Sequence, residues 1–349
     1  SADVPPDVCF PQRREPADYA FHIRIYGLIL DKYGRRKNMG KYLLKRILQA
    51  IGVIFCISLI TFFVLNIVPG NPVEIMLGEQ ADQATIARVT HEMGLDQPIV
   101  TQYINWFTNM LHGDFGVSYF QNRPVIDILT STFAVTAKLA GVAYVIAVIL
   151  GVGVGVIAAV NRGKWIDSLL MTISVVGISA PAFWIAIILQ IVICLKLNLL
   201  PLSGIDSFAS FILPGIALGT RYAASIARIT RTSMLEVLSQ DYIRTAHAKG
   251  LKKWTVVIKH ALRNALIPII TIAGTDLGNI LTGSVLVESV FSIPGIGKML
   301  VDSINTRDLP IVQGGVMYIA VICVIMYLVI DILYTVADPR IRLGKGSEN

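Results

Sequence analysis

Four stretches of the chain, 47–68, 139–160, 168–195 and 309–330, contain no charged side chain. Each exceeds the roughly 20 apolar residues that a helix needs to cross a bilayer core of about 30 Å. Two further stretches are apolar but interrupted. Residues 211–237 carry Arg221 in their interior and Arg228, Arg231 and Glu236 towards the far end, and residues 265–287 carry Asp276. Both apolar runs are too long for loops. The pattern predicts an all-α polytopic membrane protein with six transmembrane helices and both termini on one side.

Between the spans, the pattern predicts a first transmembrane helix within 39–68, an external loop domain over 69–133 and a transmembrane core over 134–337. The helices of that core fall at about 139–160, 168–195, 211–237, 265–287 and 309–330. Helical periodicity at 84–94 and 99–111 makes the external domain helical, with Tyr103, Trp106, Phe107, Phe115, Tyr119 and Phe120 mostly as its own small core. The segment 239–268 is rich in Ala, Lys and Arg and is read as one or two short helices outside the bilayer, ended by Pro268. Residues 1–38 are polar and hold four prolines, and Met39 then opens a run, MGKYLLKRILQAIG, typical of an N-terminus. They are read as an extension separate from the core, and 338–349 as a tail.

Composition agrees. Hydrophobic residues make up 54% of the 349 and charged residues 15%, against about 25% charged in soluble domains. Disorder and a disulfide-built scaffold are excluded for most of the chain, which has only 4 Cys. The net charge of +7 first admits a nucleic-acid partner. Placement removes that reading. Twenty-three of the 30 Lys and Arg fall at the N-terminus, after span two, from the end of span four through the following loop, or in the tail. Cytoplasmic loops collect such residues, so both termini are expected in the cytoplasm.

A series of short motifs then makes the chain resemble a known family. They are VPGNP (68–72), MGLDQPIVTQY (93–103), HGDFGVSY (112–119), RPVIDIL (123–129), SAPAFW (179–184), LPLSG (200–204), TSMLEVLSQDYIRTAHAKGL (232–251), KHALRNALIPI (259–269), GSVLVESVFSIPGIG (283–297) and DPRIR (338–342). In this order they resemble the B-type permease subunit of a binding-protein-dependent ABC importer of the dipeptide/oligopeptide/nickel family, from about residue 39 to 343.

The resemblance implies a type I ABC importer permease fold in a prokaryotic plasma (inner) membrane. It also implies a homologous second permease, two ATP-binding subunits and an external substrate-binding protein. The chain would be a transport subunit and not an enzyme, with ATP and Mg on the partner subunits and no cofactor of its own. Its cargo would be di- or oligopeptides, with nickel, glutathione or oligosaccharide as alternatives. The residues Arg244, Thr245, Ala246, Ala248, Lys249 and Gly250 lie where such permeases carry an EAA loop, the helix that docks into the ATPase. Arg244 and Thr245 depart from the usual Glu and Ala. Read physically, Ala246 and Ala248 permit close helix approach, Lys249 suits a helix C-terminus and Gly250 suits a positive φ. A helix lying on lipid headgroups is the competing reading.

The residues themselves argue against other classes. The nucleotide motif G-x-x-x-x-G-K-[ST] is absent: the string nearest to it, ending Gly297-Lys298-Met299, has Ser292 where the first Gly belongs. His and Cys show no zinc spacing. A stand-alone secondary transporter would call for internal repeats and its own coupling groups, and no repeat is seen. Ionisable groups within spans are costly and mark candidate function. Arg221 and Asp276 either meet the two charges of a zwitterionic peptide or pair with each other or the second permease. Glu288 either lines the outer gate or caps a wet helix end. Pro181 kinks span three, as a gate or as a static bend. Gly141, Gly151, Gly153 and Gly155 are read as helix-packing positions.

Overall fold

A computed structural model describes residues 44–67, 72–78, 81–282 and 284–337. The extension 1–38, the tail 338–349, DPRIR, most of VPGNP and the basic residues before Leu44 lie outside the described residues. The chain divides into two compact units, Ser1–Val53 and Ile54–Asn349. Of the first, only the opening turns of a helix are described. Helix α1 is Leu44–Ile67. It is followed by α2 (Pro72–Leu77), α3 (Gln83–Glu92), α4 (Ile99–Leu111), α5 (Val125–Val160), α6 (Trp165–Ser179) and α7 (Ala182–Leu189, continued by a π-helical turn, Gln190–Lys196). Then come α8 (Ile212–Leu238) and α9 (Asp241–Ala248), and α10 (Lys253–Thr282). The chain closes with α11 (Val285–Val290), α12 (Ile296–Thr306) and α13 (Leu309–Ala337).

Helices α1, α5, α10 and α13 are long and apolar enough to cross a membrane, and α6 with α7 makes a fifth crossing if the two halves are one span. The sixth predicted span is α8. It has 27 residues, but its charged side chains keep it out of the apolar set. Each of the six predicted spans overlaps helix; the span predicted at 265–287 ends early, at Thr282 of α10, with Val285–Val290 a separate helix, and three further changes of boundary stand out.

First, α5 starts at Val125, not near 139, so 125–133 belong to the core and not to the external domain. Pro124 stands at its N-cap. Val125, Ile128 and Leu129 are buried against Ile296, Met299 and Ile311. Second, the predicted kinked span 168–195 is two helices at 106°. Pro181 is the N-cap of α7: it cannot donate into the preceding turn, and it drives Ala180 to an extended ψ of 131. Third, α10 starts at Lys253, so the second half of 239–268 is the first half of a span. Pro268 lies inside this helix instead of ending it. The preceding stretch, Val256–Leu262, is a π-helical segment; such readjustments let membrane helices accommodate a freed carbonyl.

Helix α8 is the centre of the core, packed against α5, α6, α7 and α10. Its closest neighbour is α5, and the reason is small residues. Lipid offers no hydrophobic driving force between spans, so close backbone approach supplies the attraction. A Cβ on Gly155 would stand 2.6 Å from the Ala227 carbonyl oxygen, and one on Gly151 2.7 Å from that of Ala223. A Cβ on Gly153 or Gly141 would meet nothing within 4 Å among the described residues. The seam is completed from the other side by Gly219, whose Cβ would stand 2.7 Å from the Ala143 oxygen. Gly155→Val should therefore push α5 off α8 and destabilise the chain by about 1–3 kcal/mol, read as a lowered melting temperature in detergent. Gly153→Val should leave it unchanged.

Candidate functional site

Helix α9 carries the predicted coupling residues, and its sequence explains how it is mounted. Ile243 and Ala246, three apart, are buried in the cluster of Met234, Val256, Val257 and Ala261. The rest of the helix is exposed: Arg244, Thr245, Ala248, Lys249 and Gly250 all face outward. Asn264 Nδ2 donates to the Tyr242 hydroxyl at 2.7 Å, a second tie to α10. Gly250 ends the helix at a φ of 76, with its N–H on the His247 carbonyl at 2.9 Å. Five of the six predicted residues thus share a free surface. Ala246 does not; it faces inward and holds α9 against its own chain.

The predicted intramembrane charges are neighbours without being partners. Asp276, on α10, is 7% exposed, and its Oδ2 has no hydrogen-bond partner among the described residues. Arg221, on α8, is exposed and within Coulombic range of Asp276, yet no ion pair or hydrogen bond joins them. Tyr222 interacts electrostatically with both and with Tyr327 of α13. The Tyr327 hydroxyl donates to Asn279 Oδ1 at 3.1 Å. Three helices therefore bring together a cation, a carboxylate, an amide and two phenols.

Glu288 and Pro181 have other placements. Glu288 is fully buried. Its Oε1 accepts from the hydroxyls of Thr136, at 2.7 Å, and Ser284, at 2.8 Å. Its Oε2 accepts from the N–H groups of Gly297, at 2.9 Å, and Lys298, at 3.1 Å. These two are free donors of the first turn of α12. Glu288 is thus a helix cap delivered from α11, and a buried one, not at a wet helix end. The same bonds explain SIPGIG, since a Cβ on Gly295 would collide with the Glu288 carboxylate. Pro181 is exposed at the α6–α7 break and makes a corner.

Three features were not anticipated. Asp167, 4% exposed, holds Arg231 by two bonds: Nε to Oδ1 at 2.6 Å and Nη2 to Oδ2 at 2.7 Å. It also accepts from Gly163 N–H at 3.1 Å. At the end carrying α2–α4, Asp308 accepts from the Ser118 hydroxyl at 2.5 Å and from Tyr119 N–H at 3.3 Å. Burial, and then the Asp308 carboxylate, push the Tyr119 phenol up to about 12, so it stays protonated. Finally, the α4 aromatics do not form a core of their own. Tyr103 stacks on Phe63 and Phe107, Trp106 meets Phe62, and the Ser58 and Tyr103 hydroxyls bond at 2.9 Å. They pack along α1. Above them is a cavity of about 740 Å³, with Asn66, Asn105, Tyr119 and Gln313 in its wall.

Comparison with known proteins gives a consistent set of relatives. Residues 151–343 match the family described as "Binding-protein-dependent transport system inner membrane component", and residues 39–140 match its N-terminal companion. Over 304 residues the chain is 43% identical to the glutathione transport system permease protein GsiC of Escherichia coli (strain K12), covering 87% of this chain and 99% of that one. The same figures hold for the protein of that name from Shigella dysenteriae serotype 1 (strain Sd197). Among solved structures, an inward-facing MetNI methionine ABC transporter is similar with a TM-score of 0.48 at 17% identity, over 60% of this chain and 96% of that one.

Proposed function

The chain belongs to the family of binding-protein-dependent transport system inner membrane components, a permease subunit of an ABC importer, and on that premise we propose that it forms the translocation pathway for short peptides. An external binding protein delivers the cargo, and separate ATPase subunits drive the cycle. Glutathione is itself a tripeptide, so the relatives' printed names make it the first cargo to test, followed by other di- and oligopeptides. Nickel and oligosaccharide uptake are the assays that would point elsewhere in the same branch.

The observation that carries the mechanism is the mounting of α9. A helix moves with its own core only if one face is fixed, and it transmits force to a partner only if another is free. Ile243 and Ala246 supply the fixed face, and Arg244, Thr245, Ala248, Lys249 and Gly250 the free one. In the proposed cycle, ATP closes the partner subunits, draws the α9 helices together and opens the opposite side to the loaded binding protein; hydrolysis resets it. ATP and the loaded binding protein can bias the two states only through differential affinity for them. Both termini and α9 are proposed cytoplasmic, and α2–α4 external, as the basic residues argue.

The test is the double variant Arg244→Glu, Lys249→Glu in the complete importer. Uptake should fall by about tenfold or more, with ATPase subunits lost on purification or hydrolysing ATP without transport. The chain itself should still insert and fold. Normal ATP-dependent uptake would remove α9 as the coupling element. Uptake indifferent to ATP would favour a secondary transporter.

A further inference from the structure

Helix α8 has an exposure pattern that no lipid-facing span should have. Its exposed positions are Arg221, Arg228, Thr232 and Glu236, all polar, while every large apolar side chain on it is buried or half-buried. Helix α5 shows the opposite: Val145, Ile149, Leu150 and Ile157 are exposed, as suits a face in hydrocarbon. The α8 residues recur at intervals of seven, four and four, so they form one stripe along the helix. Arg221 is about 14 Å from the Ile212 end at 1.5 Å per residue, near the middle of a bilayer core of about 30 Å. A guanidinium at that depth faces water or protein, not lipid.

The neighbouring helix continues the polar surface where Arg221 stands. Asn279 is exposed on α10 and held by Tyr327, and Asp276 keeps an oxygen with no donor while nine-tenths buried. An orphaned buried acceptor needs a donor to complete it. Among the described residues the Arg221 guanidinium makes no hydrogen bond or ion pair, and it matches a carboxylate in two-point geometry. Opposite charges are thus held near each other, apart, with neither neutralising the other.

We propose that Arg221, Asp276 and Asn279 form a cargo subsite within the translocation pathway that takes a zwitterion. The Arg221 guanidinium receives the carboxylate, the free Asp276 oxygen receives the ammonium, and the Asn279 amide supplies a neutral contact beside them. The rest of the α8 stripe is the wall along which the carboxylate travels. The inference rests on the importer reading above and adds the chemistry of the cargo to it.

The experiment uses the assembled importer in proteoliposomes, with Cys9, Cys56, Cys194 and Cys323 replaced and Arg221→Cys introduced. Radiolabelled glutathione and triglycine are the probes. Uptake should fall by about tenfold or more, the usual consequence of losing a charged hydrogen bond. Alkylation with 2-bromoethylamine rebuilds a cation at the position and should restore most of the uptake. Iodoacetamide, which adds no charge, and iodoacetate, which adds a negative one, should not. The thioethers formed are stable to the thiol of glutathione, and peptide mass confirms each modification. The proposal is overturned by undiminished uptake in Arg221→Cys, or by equal rescue from neutral and cationic adducts. Failure of every reagent to reach the thiol, which would take the position out of water, overturns it too. So does loss of the second permease on purification, which would make the stripe a subunit contact. If the cysteine-replaced parent imports neither probe, the importer reading for peptides itself fails and the subsite falls with it.

Discussion

Glu288→Ala should prevent the chain from accumulating as a folded permease. The substitution strands the Thr136 and Ser284 hydroxyls and the Gly297 and Lys298 N–H groups, which all converge on the one carboxylate. Each donor left buried without an acceptor costs on the order of 1–3 kcal/mol. Total stabilities of about 5–15 kcal/mol leave little room for several such losses. The carboxylate also faces the positive end of α12, a contribution that leaves with it. Glu288→Gln separates this account from a role in transport. The amide keeps the shape and one acceptor oxygen but turns its NH2 towards one of the two donor pairs, so intermediate stability is expected. The measurements are melting temperature in detergent and the yield of assembled complex. If Glu288→Ala melts with the wild type while cargo preference changes, the residue is a pathway group and the cap is incidental.

Some of this was legible in the residue pattern and some was not. Charge-free runs revealed the interiors of α1, α5 and α13, because a bilayer selects for them directly. They missed the extension of α5 back to Val125 and of α10 back to Lys253, because a helix that leaves the bilayer owes its residues to packing and not to lipid. Pro181 was recognised as a bend, but its size was not: a proline removes one donor wherever it stands, and only the packing of α6 and α7 onto α8 decides between a kink and a corner of 106°. The α9 face was half legible. Gly250 declared its positive φ, whereas Ala246 and Ala248 look alike in sequence and lie on opposite sides of the helix. Glu288 was singled out for being acidic near a span, but its meaning lay in Thr136, 152 positions earlier. Nothing local signals such a partner. Asp167 drew no reading at all for the same reason, with Arg231 64 positions on.

That ion pair gives the second large effect. Asp167→Ala leaves Arg231 without its two charge-assisted bonds and should cost about 1.5–3 kcal/mol, the range for hydrogen bonds to charged groups, since the half-buried guanidinium keeps part of its hydration. Arg231→Ala strands the more buried partner and should cost at least as much. The two losses should not add. The double variant Asp167→Leu, Arg231→Met removes both charges together and should recover much of the stability. Recovery of transport is another matter. Arg231 lies on α8 seven residues before its end at Leu238, and α8 leads directly into α9. The pair therefore anchors to α6 the lever that carries the coupling surface, and an apolar contact fixes direction less sharply than two parallel hydrogen bonds. The double variant should thus melt near the wild type while transporting fewer cargo molecules per ATP hydrolysed. The charge swap Asp167→Arg, Arg231→Asp should rescue neither property. Gly163 N–H donates to Asp167, and that fixed donor would then face a cation. Full rescue by the swap would show that the attraction between the charges, irrespective of orientation, is all that α6 and α8 require.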